Sequence, residues 1–515
     1  VGTVGAARHV TCASHPDLRV HRSLRFREKD RKAYYLEFVS GPDRILQIND
    51  GSIDTLETAL LERVFFRKVD GAFVQPPQVS TRTMFAKLGR FGNRLSRSFG
   101  ARPARISPEQ FVEMYSGRKR KLYEGAANRL LLTGLLRKYG YVMAFVKLEK
   151  VKFNKAPRCI QPRTPEYNVA LGTFLKPIEH KMYRALALAA GMETPVVAKG
   201  MNANEVGALI QAKWERFDTP VAVGLDATAF DQHVGVSALK FEHSVYKALF
   251  KYDPDFSELL TLLQWQIDNK GFGYCFDGFL KYRIKGRRFS GDMNTAMGNC
   301  IIMCAIVSTF LKNSGVKHDF VNNGDDCVVF LEERDLYVMS GFREFALSLG
   351  FVIVQEEPVR VIERVEFCQQ RPVWVDGQYR MIRNQDTARE KDSMSLLHHQ
   401  DAQSVRKWLR AVGECGLALC SGVPVMQAMY LAYIREGIAG KTHNAMGMDT
   451  GASYLARGME AKAQPIHPDT RVSYFMAFDV TPADQLALEE SFGRWFFSGE
   501  IREVDTISDV ATLTL

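Results

Sequence analysis

The stretch HDFVNNGDDCVVFLE, residues 318–332, constrains this chain more than any other. Two β-prone runs flank an Asn-Gly pair, the strongest short-range signal for a tight hairpin. Two adjacent carboxylates, Asp325 and Asp326, fall at the turn or just past it. Acids at a turn are often only its polar tip. Here they stand together directly before an apolar run, and like charges so placed need a reason. A bare Gly-Asp-Asp is a hypothesis whose weight depends on what stands upstream.

Upstream, residues 221–234 read VAVGLDATAFDQHV. The apolar run from Val221 to Leu225 predicts a buried strand, and Asp226 closes it. A helix then starts near Gln232, with Val236, Leu239, Tyr246 and Leu249 on its inner face. Asp226 is either a helix cap or a metal ligand. Two unit charges about 4 Å apart repel by roughly 4 kcal/mol at an effective dielectric of 20. If Asp226 meets Asp325 and Asp326, the ionised trio needs a cation, and oxygen-only donors suit Mg²⁺ or Mn²⁺. Between them lies GRRFSGDMNTAMGNCIIMCAIV, residues 286–307. Ser290-Gly291 predicts a flexible loop, and a buried helix follows. Thr295 and Asn299, four apart, share one face of it. They either hydrogen-bond neighbouring loops or read the hydroxyls of a sugar, of which the 2′-OH separates RNA from DNA.

At 515 residues the chain exceeds one ordinary core. Its elements read as α+β, without repeats. The net charge of +10 favours a polyanionic partner. Between Thr81 and Lys121 stand eleven basic residues against two acidic ones. This is either a solvated face or arm, or a phosphate-contacting surface. Pro76-Pro77 and the Gly-Arg-rich run after them predict a linker. Ser107 and Gln110 form a capping-box signature around Pro108. A second basic stretch, FVKLEKVKFNKAPRCIQPR at 145–163, interleaves Lys147, Lys150, Lys152, Lys155, Arg158 and Arg163 with apolar residues. It predicts extended chain, either as a lysine-protected edge strand or as the lining of a channel for phosphates. The nine cysteines have no C-x-x-C pairing and read as reduced core residues. No apolar run is expected to reach the length of a membrane span; CIIMCAIVSTFL, 300–311, reads as a buried helix. The last 140 or so residues predict mainly helix.

Taken in order, these segments resemble a known family. D-x4-D (Asp226, Asp231), then S-G-x3-T-x3-N (Ser290, Gly291, Thr295, Asn299), then G-D-D (Gly324, Asp325, Asp326) resemble motifs A, B and C of viral RNA-dependent RNA polymerases. FDQHV with FEHSVY after it, and GDMNTAMGN, are similar to the tombusvirus family of plant positive-strand RNA viruses. Residues 145–163 resemble motif F and VEFCQQRPV, 365–373, motif E; YSGRKRKLYEGA, 115–126, is also similar to that family. The resemblance covers Thr81 to Val373 well and the flanks less well.

The resemblance implies a right-hand α+β fold: a helical thumb, fingers, and a palm with an antiparallel sheet. The division it implies is 1–80 N-terminal extension, 81–215 fingers with the basic arm and motif F, 216–240 palm motif A, 241–285 fingers insertion, 286–375 palm motifs B to E, and 376–515 thumb. It implies RNA-templated joining of a 3′-hydroxyl to the α-phosphate of a nucleoside triphosphate. Asp226 and Asp325 would be the principal ligands of Mg²⁺ or Mn²⁺, with Asp326 the weaker one. Asp231, Thr295 and Asn299 would select ribose beside a mobile Ser290-Gly291 loop. Lys147, Lys150, Lys155, Arg158 and Arg163 are candidates for the triphosphate or RNA. The implied partners are template and product RNA, NTPs, an auxiliary replication protein sharing an upstream region, host membranes reached through that region, and host factors. The implied place is a membrane-associated replication complex in the host cytoplasm, and the opening Val fits the downstream part of a readthrough or frameshift product.

Two departures stand out. Thr228 and Ala229 replace a Ser-Arg pair common in the family. No Lys or His lies between Leu331 and Gln370 to act as the motif D general acid, which leaves Arg360, water or no side-chain acid. Two rivals remain at this point, a reverse transcriptase and a non-catalytic RNA-binding scaffold.

Overall fold

The computed structural model describes residues 1–23, 31–37, 46–440 and 452–501. Parts of the expected N-terminal extension and thumb lie outside these residues. At the centre is a four-stranded antiparallel sheet in the order 318–322, 326–332, 220–227, 353–355. The apolar run after the acid pair pairs with the upstream apolar run from Pro220↔Glu332 to Asp226↔Asp326. Side chains alternate across a strand, so the sheet divides two cores. Val221, Val223, Leu225, Val329 and Leu331 face the first. Ala222, Val321, Val328 and Phe330 face the second.

The first core is helical, built from Thr81–Ser98, Pro165–Leu175, Glu179–Ala190, Val236–Leu249 and Thr295–Ser314. Two expectations change here. The Gly-Arg-rich run is no linker. Residues 81–98 form a helix capped by Ser80, with Met84, Leu88, Phe91 and Leu95 buried and Arg82, Arg90 and Arg97 exposed. The apolar residues recur at helical spacing, and the arginines occupy the other faces. Secondly, Thr295–Ser314 does reach the length and apolarity of a membrane span, at a mean hydropathy of 1.5 over its best window. Its packing is that of a core helix, with 72% of that window buried.

The second core joins Ala203–Trp214, the hairpin 370–383 and the helices Ala402–Cys420, Met426–Glu436 and Pro468–Phe478. A five-stranded sheet, in the order 18–22, 278–285, 268–275, 142–146, 159–160, carries the basic stretch. Described parts of residues 1–80 pack against this sheet. Strand 18–22 pairs with 278–285, and helix Ile53–Leu60 packs on the sheet. The Ser107–Gln110 capping box forms around Pro108. All nine cysteines are free.

Candidate active site

The acid pair sits where a turn is fixed by a buried side chain. Asn322 Nδ2 donates to the carbonyls of Gly324 (2.7 Å) and Asp326 (2.9 Å), and its Oδ1 accepts from the Gly324 amide (3.0 Å). Gly324 takes φ +96°, a conformation that disfavours any side chain. Across the sheet Asp226 stands directly opposite Asp326. Burial, then the charges of Asp325 and Asp226, push the Asp326 carboxyl up to about 6. Glu356, on the segment after the neighbouring strand, is raised by burial, then by Glu366, Asp226 and Asp326. Negative charge thus accumulates at one end of the sheet.

The ribose-selection candidates also converge. Asn299 Nδ2 donates to Asp231 Oδ1 (2.9 Å), and Ser290 Oγ donates to Asp231 Oδ2 (3.1 Å). Asn299 in turn accepts from Arg288 Nε (2.9 Å), and Arg288 is ion-paired with Glu242. Gly298 makes room for that pair, since a Cβ there would lie 2.3 Å from both partners. Burial raises the Asp231 carboxyl against the pull of Asn299, Arg288 and Ser290. Gly291 has φ +121°, and its Cβ would meet Pro162 Cα at 3.0 Å, so the 290–291 loop is seated on the basic stretch. Thr295 is set apart: its hydroxyl donates to the Phe289 carbonyl (2.9 Å).

The basic candidates separate. Arg158 Nε donates to Glu149 (2.6 Å), and Arg158 shares a cavity wall with Asp231, Ser290 and Asp325. Its charge is stabilised chiefly by Glu149 and also by Asp325 and Asp231. Lys147 pairs with the same Glu149 (3.1 Å), Lys150 donates to the Lys391 carbonyl (2.5 Å), and Lys155 is exposed. Arg163 must be corrected. It is buried and donates to Asp292 (2.7 Å), Asn269 (2.7 Å) and the Gly140 carbonyl (2.7 Å). A guanidinium saturated in this way holds the wall together and has no donors left for a triphosphate. Arg360 is exposed and donates to Glu333 (2.7 Å), which raises its pKa.

Sequence reasoning missed Asn322, Glu356 and Lys199. Lys199 Nζ lies 3.9 Å from where a Gly324 Cβ would stand. Its only signal is a lone basic residue in VVAKGMN, far from any motif. As placed, no group of three His, Cys, Asp or Glu side chains among the described residues closes into a metal-ligand set. The fit to a divalent cation rests on the donors themselves: oxygen ligands only, with the Asp326 carboxyl raised by burial and then by the charges of Asp325 and Asp226.

A profile of viral RNA-dependent RNA polymerases matches residues 18–500. The chain belongs to that family. Among curated relatives, the RNA-directed RNA polymerase of maize chlorotic mottle virus is 38% identical over 96% of this chain and 51% of its own length. That of melon necrotic spot virus is 38% identical over 95% of this chain and 62% of its own length. That of oat chlorotic stunt virus is 40% identical over 92% and 65%. The chain therefore spans between half and two thirds of these relatives. They are polymerases of the tombusvirus family, the group its motif wording resembles. The family match also extends beyond Thr81–Val373 into both flanks.

Proposed function

We infer that the chain carries out template-directed RNA synthesis. The observation that carries this reading is the register Asp226↔Asp326, with Asp325 adjacent and the Asp231–Asn299 pair beside them. Asp226 and Asp325 are the principal ligands of Mg²⁺ or Mn²⁺ in this reading, and Asp326 is the weaker one. The ions, when bound, supply activation of the attacking 3′-hydroxyl and stabilisation of the leaving pyrophosphate. Asp231 and Asn299 present an acceptor and a donor to the ribose hydroxyls, and the Arg288–Glu242 pair fixes their orientation. Ser290 and Gly291 set that pair against the basic stretch, and Thr295 shapes the loop at the head of its helix. Arg158, Lys147 and Lys155 attract the triphosphate, and Lys150 lines with Lys155 and Arg158 a second, neighbouring cavity. Catalysis is then mostly positioning and electrostatics.

In the same reading the central sheet is the palm, the five-stranded sheet belongs to the fingers, and the helices after residue 400 form the thumb. The resemblance also suggests an auxiliary replication protein, host factors and a cytosolic membrane surface as partners. The test is Mg²⁺-dependent incorporation of labelled rNTPs on a short RNA template. Activity should be present in the parent and lost in Asp226→Ala and Asp325→Ala. Activity surviving both substitutions removes these carboxylates from the chemistry, and an inactive parent that still binds RNA supports the scaffold reading.

A further inference from the structure

Residues 1–80 carry none of the motifs, yet one of their turns forms a wall of the site. Leu61–Phe65 is a π-helical turn, a rare geometry concentrated at functional sites. It is docked on the segments that bear the site residues. Arg287 Nε donates to the Val64 carbonyl (2.9 Å), and Gln232 Nε2 donates to the Phe66 carbonyl. From this turn Arg63 reaches between two cavities. The inner one, about 150 Å³, is lined by Asp231, Ser290 and Asp325. The outer one, about 450 Å³, is lined by Lys150, Lys152, Lys155 and Lys391. Arg63 and Arg158 are the two residues common to both walls.

Among the described residues Arg63 makes no ion pair; its guanidinium donates to the Ala156 carbonyl (3.3 Å). Burial and the neighbouring charge of Arg158 both disfavour its charged form, with Glu149 a smaller opposing influence. Two guanidiniums are thus neighbours, and the carboxylate that both feel, Glu149, is already engaged by Arg158. Arg288 Nη1, buried and without a hydrogen-bond partner, belongs to a residue of the inner wall. A phosphate chain satisfies such an arrangement, because a guanidinium matches phosphate oxygens in a two-pronged geometry.

We propose that Arg63 is a triphosphate-binding residue, which with Arg158 grips the terminal phosphates of an incoming nucleoside triphosphate at the junction of the two cavities. The contact is to phosphate, so it is blind to the base. The proposal deepens the reading of the site as a polymerase, but its binding step stands apart from synthesis. Equilibrium binding of ATP in Mg²⁺ is measured for the parent, Arg63→Ala and Arg63→Lys, alongside KM and kcat for each of the four rNTPs and the thermal midpoint. The alanine variant should weaken ATP binding and raise KM about tenfold for all four nucleotides. Its kcat should change less than KM, the midpoint should hold, and lysine should restore part of the loss. ATP binding equal in parent and Arg63→Ala, or a parent that binds no ATP, overturns the proposal. So does a fall in kcat that tracks a lower midpoint. A parent that binds ATP through Arg63 yet makes no RNA sustains the proposal and defeats the polymerase reading.

Discussion

Two sets of charges lie close together in this molecule and obey opposite rules. In the buried set three cations have their anions, Arg288 with Glu242, Arg163 with Asp292 and Lys213 with Asp319, while Arg287 and Arg380 are held by carbonyl oxygens. In the set around the cavities like stands beside like. Asp226, Asp325 and Asp326 crowd one end of the central sheet, and Arg63 and Arg158 share a wall. The first set is complete within the fold. The second is completed from outside, by a cation for the acids and an anion for Arg63, since Arg158 already holds Glu149. Which charges a protein leaves unmatched is therefore a guide to what it binds.

Substitutions in the two sets should fail differently. Asp325→Ala should show the largest effect, loss of RNA synthesis to background, while the metal-free thermal midpoint stays level or rises as repulsion is relieved. A midpoint that collapses instead would place Asp325 in the paired set. Arg288→Met leaves Glu242 buried without its counter-charge and should lower stability by about 3–5 kcal/mol in denaturant titration. An unchanged midpoint would erase the distinction between the sets. Asn299→Ala removes one donor from Asp231 and should narrow discrimination between rNTP and dNTP by about tenfold, read as the ratio of kcat/KM values.

The smallest effect concerns pH. Burial pushes His243, bonded to Gln266 within the paired set, down to about 4, and His399 in the second core likewise to about 4. A histidine depressed in the folded state contributes stability that is present above its ordinary value near 6.5 and is lost as pH falls towards 4. Stability should therefore decline over that window, and His243→Gln should flatten part of the slope.

The hairpin and its partner strand were legible because each signal is local: an Asn-Gly turn, an apolar run, an acid at the end. Their mutual register was not local: the family resemblance implied an antiparallel sheet, and the pairing of Asp226 with Asp326 comes from the structure. Arg163 was misread for a physical reason. Alternation in 145–163 gives the direction of a side chain but not its partner, and Asp292 lies 129 residues away in sequence. The helix at 81–98 was hidden by its own arginines, which drew attention from the four apolar residues at helical spacing. Arg63 carried no signal at all, because its importance comes from Arg287 and Gln232 docking its turn. The departure at Ala229 gains meaning only in three dimensions, since that residue adopts φ +45° beside the site.

The helix Thr295–Ser314 has a consequence for the chain as it is being made. Its upstream neighbours, the helices at 81–98, 179–190 and 236–249, precede it in synthesis, but the strand at 318–322 and the helix at 342–347 follow it. Without those later elements the 20-residue apolar helix would have one flank bare. Only the arrival of the acid-bearing hairpin and the elements behind it closes the flank. The same piece of sequence that completes the acidic cluster thus also covers one flank of the most apolar helix in the core.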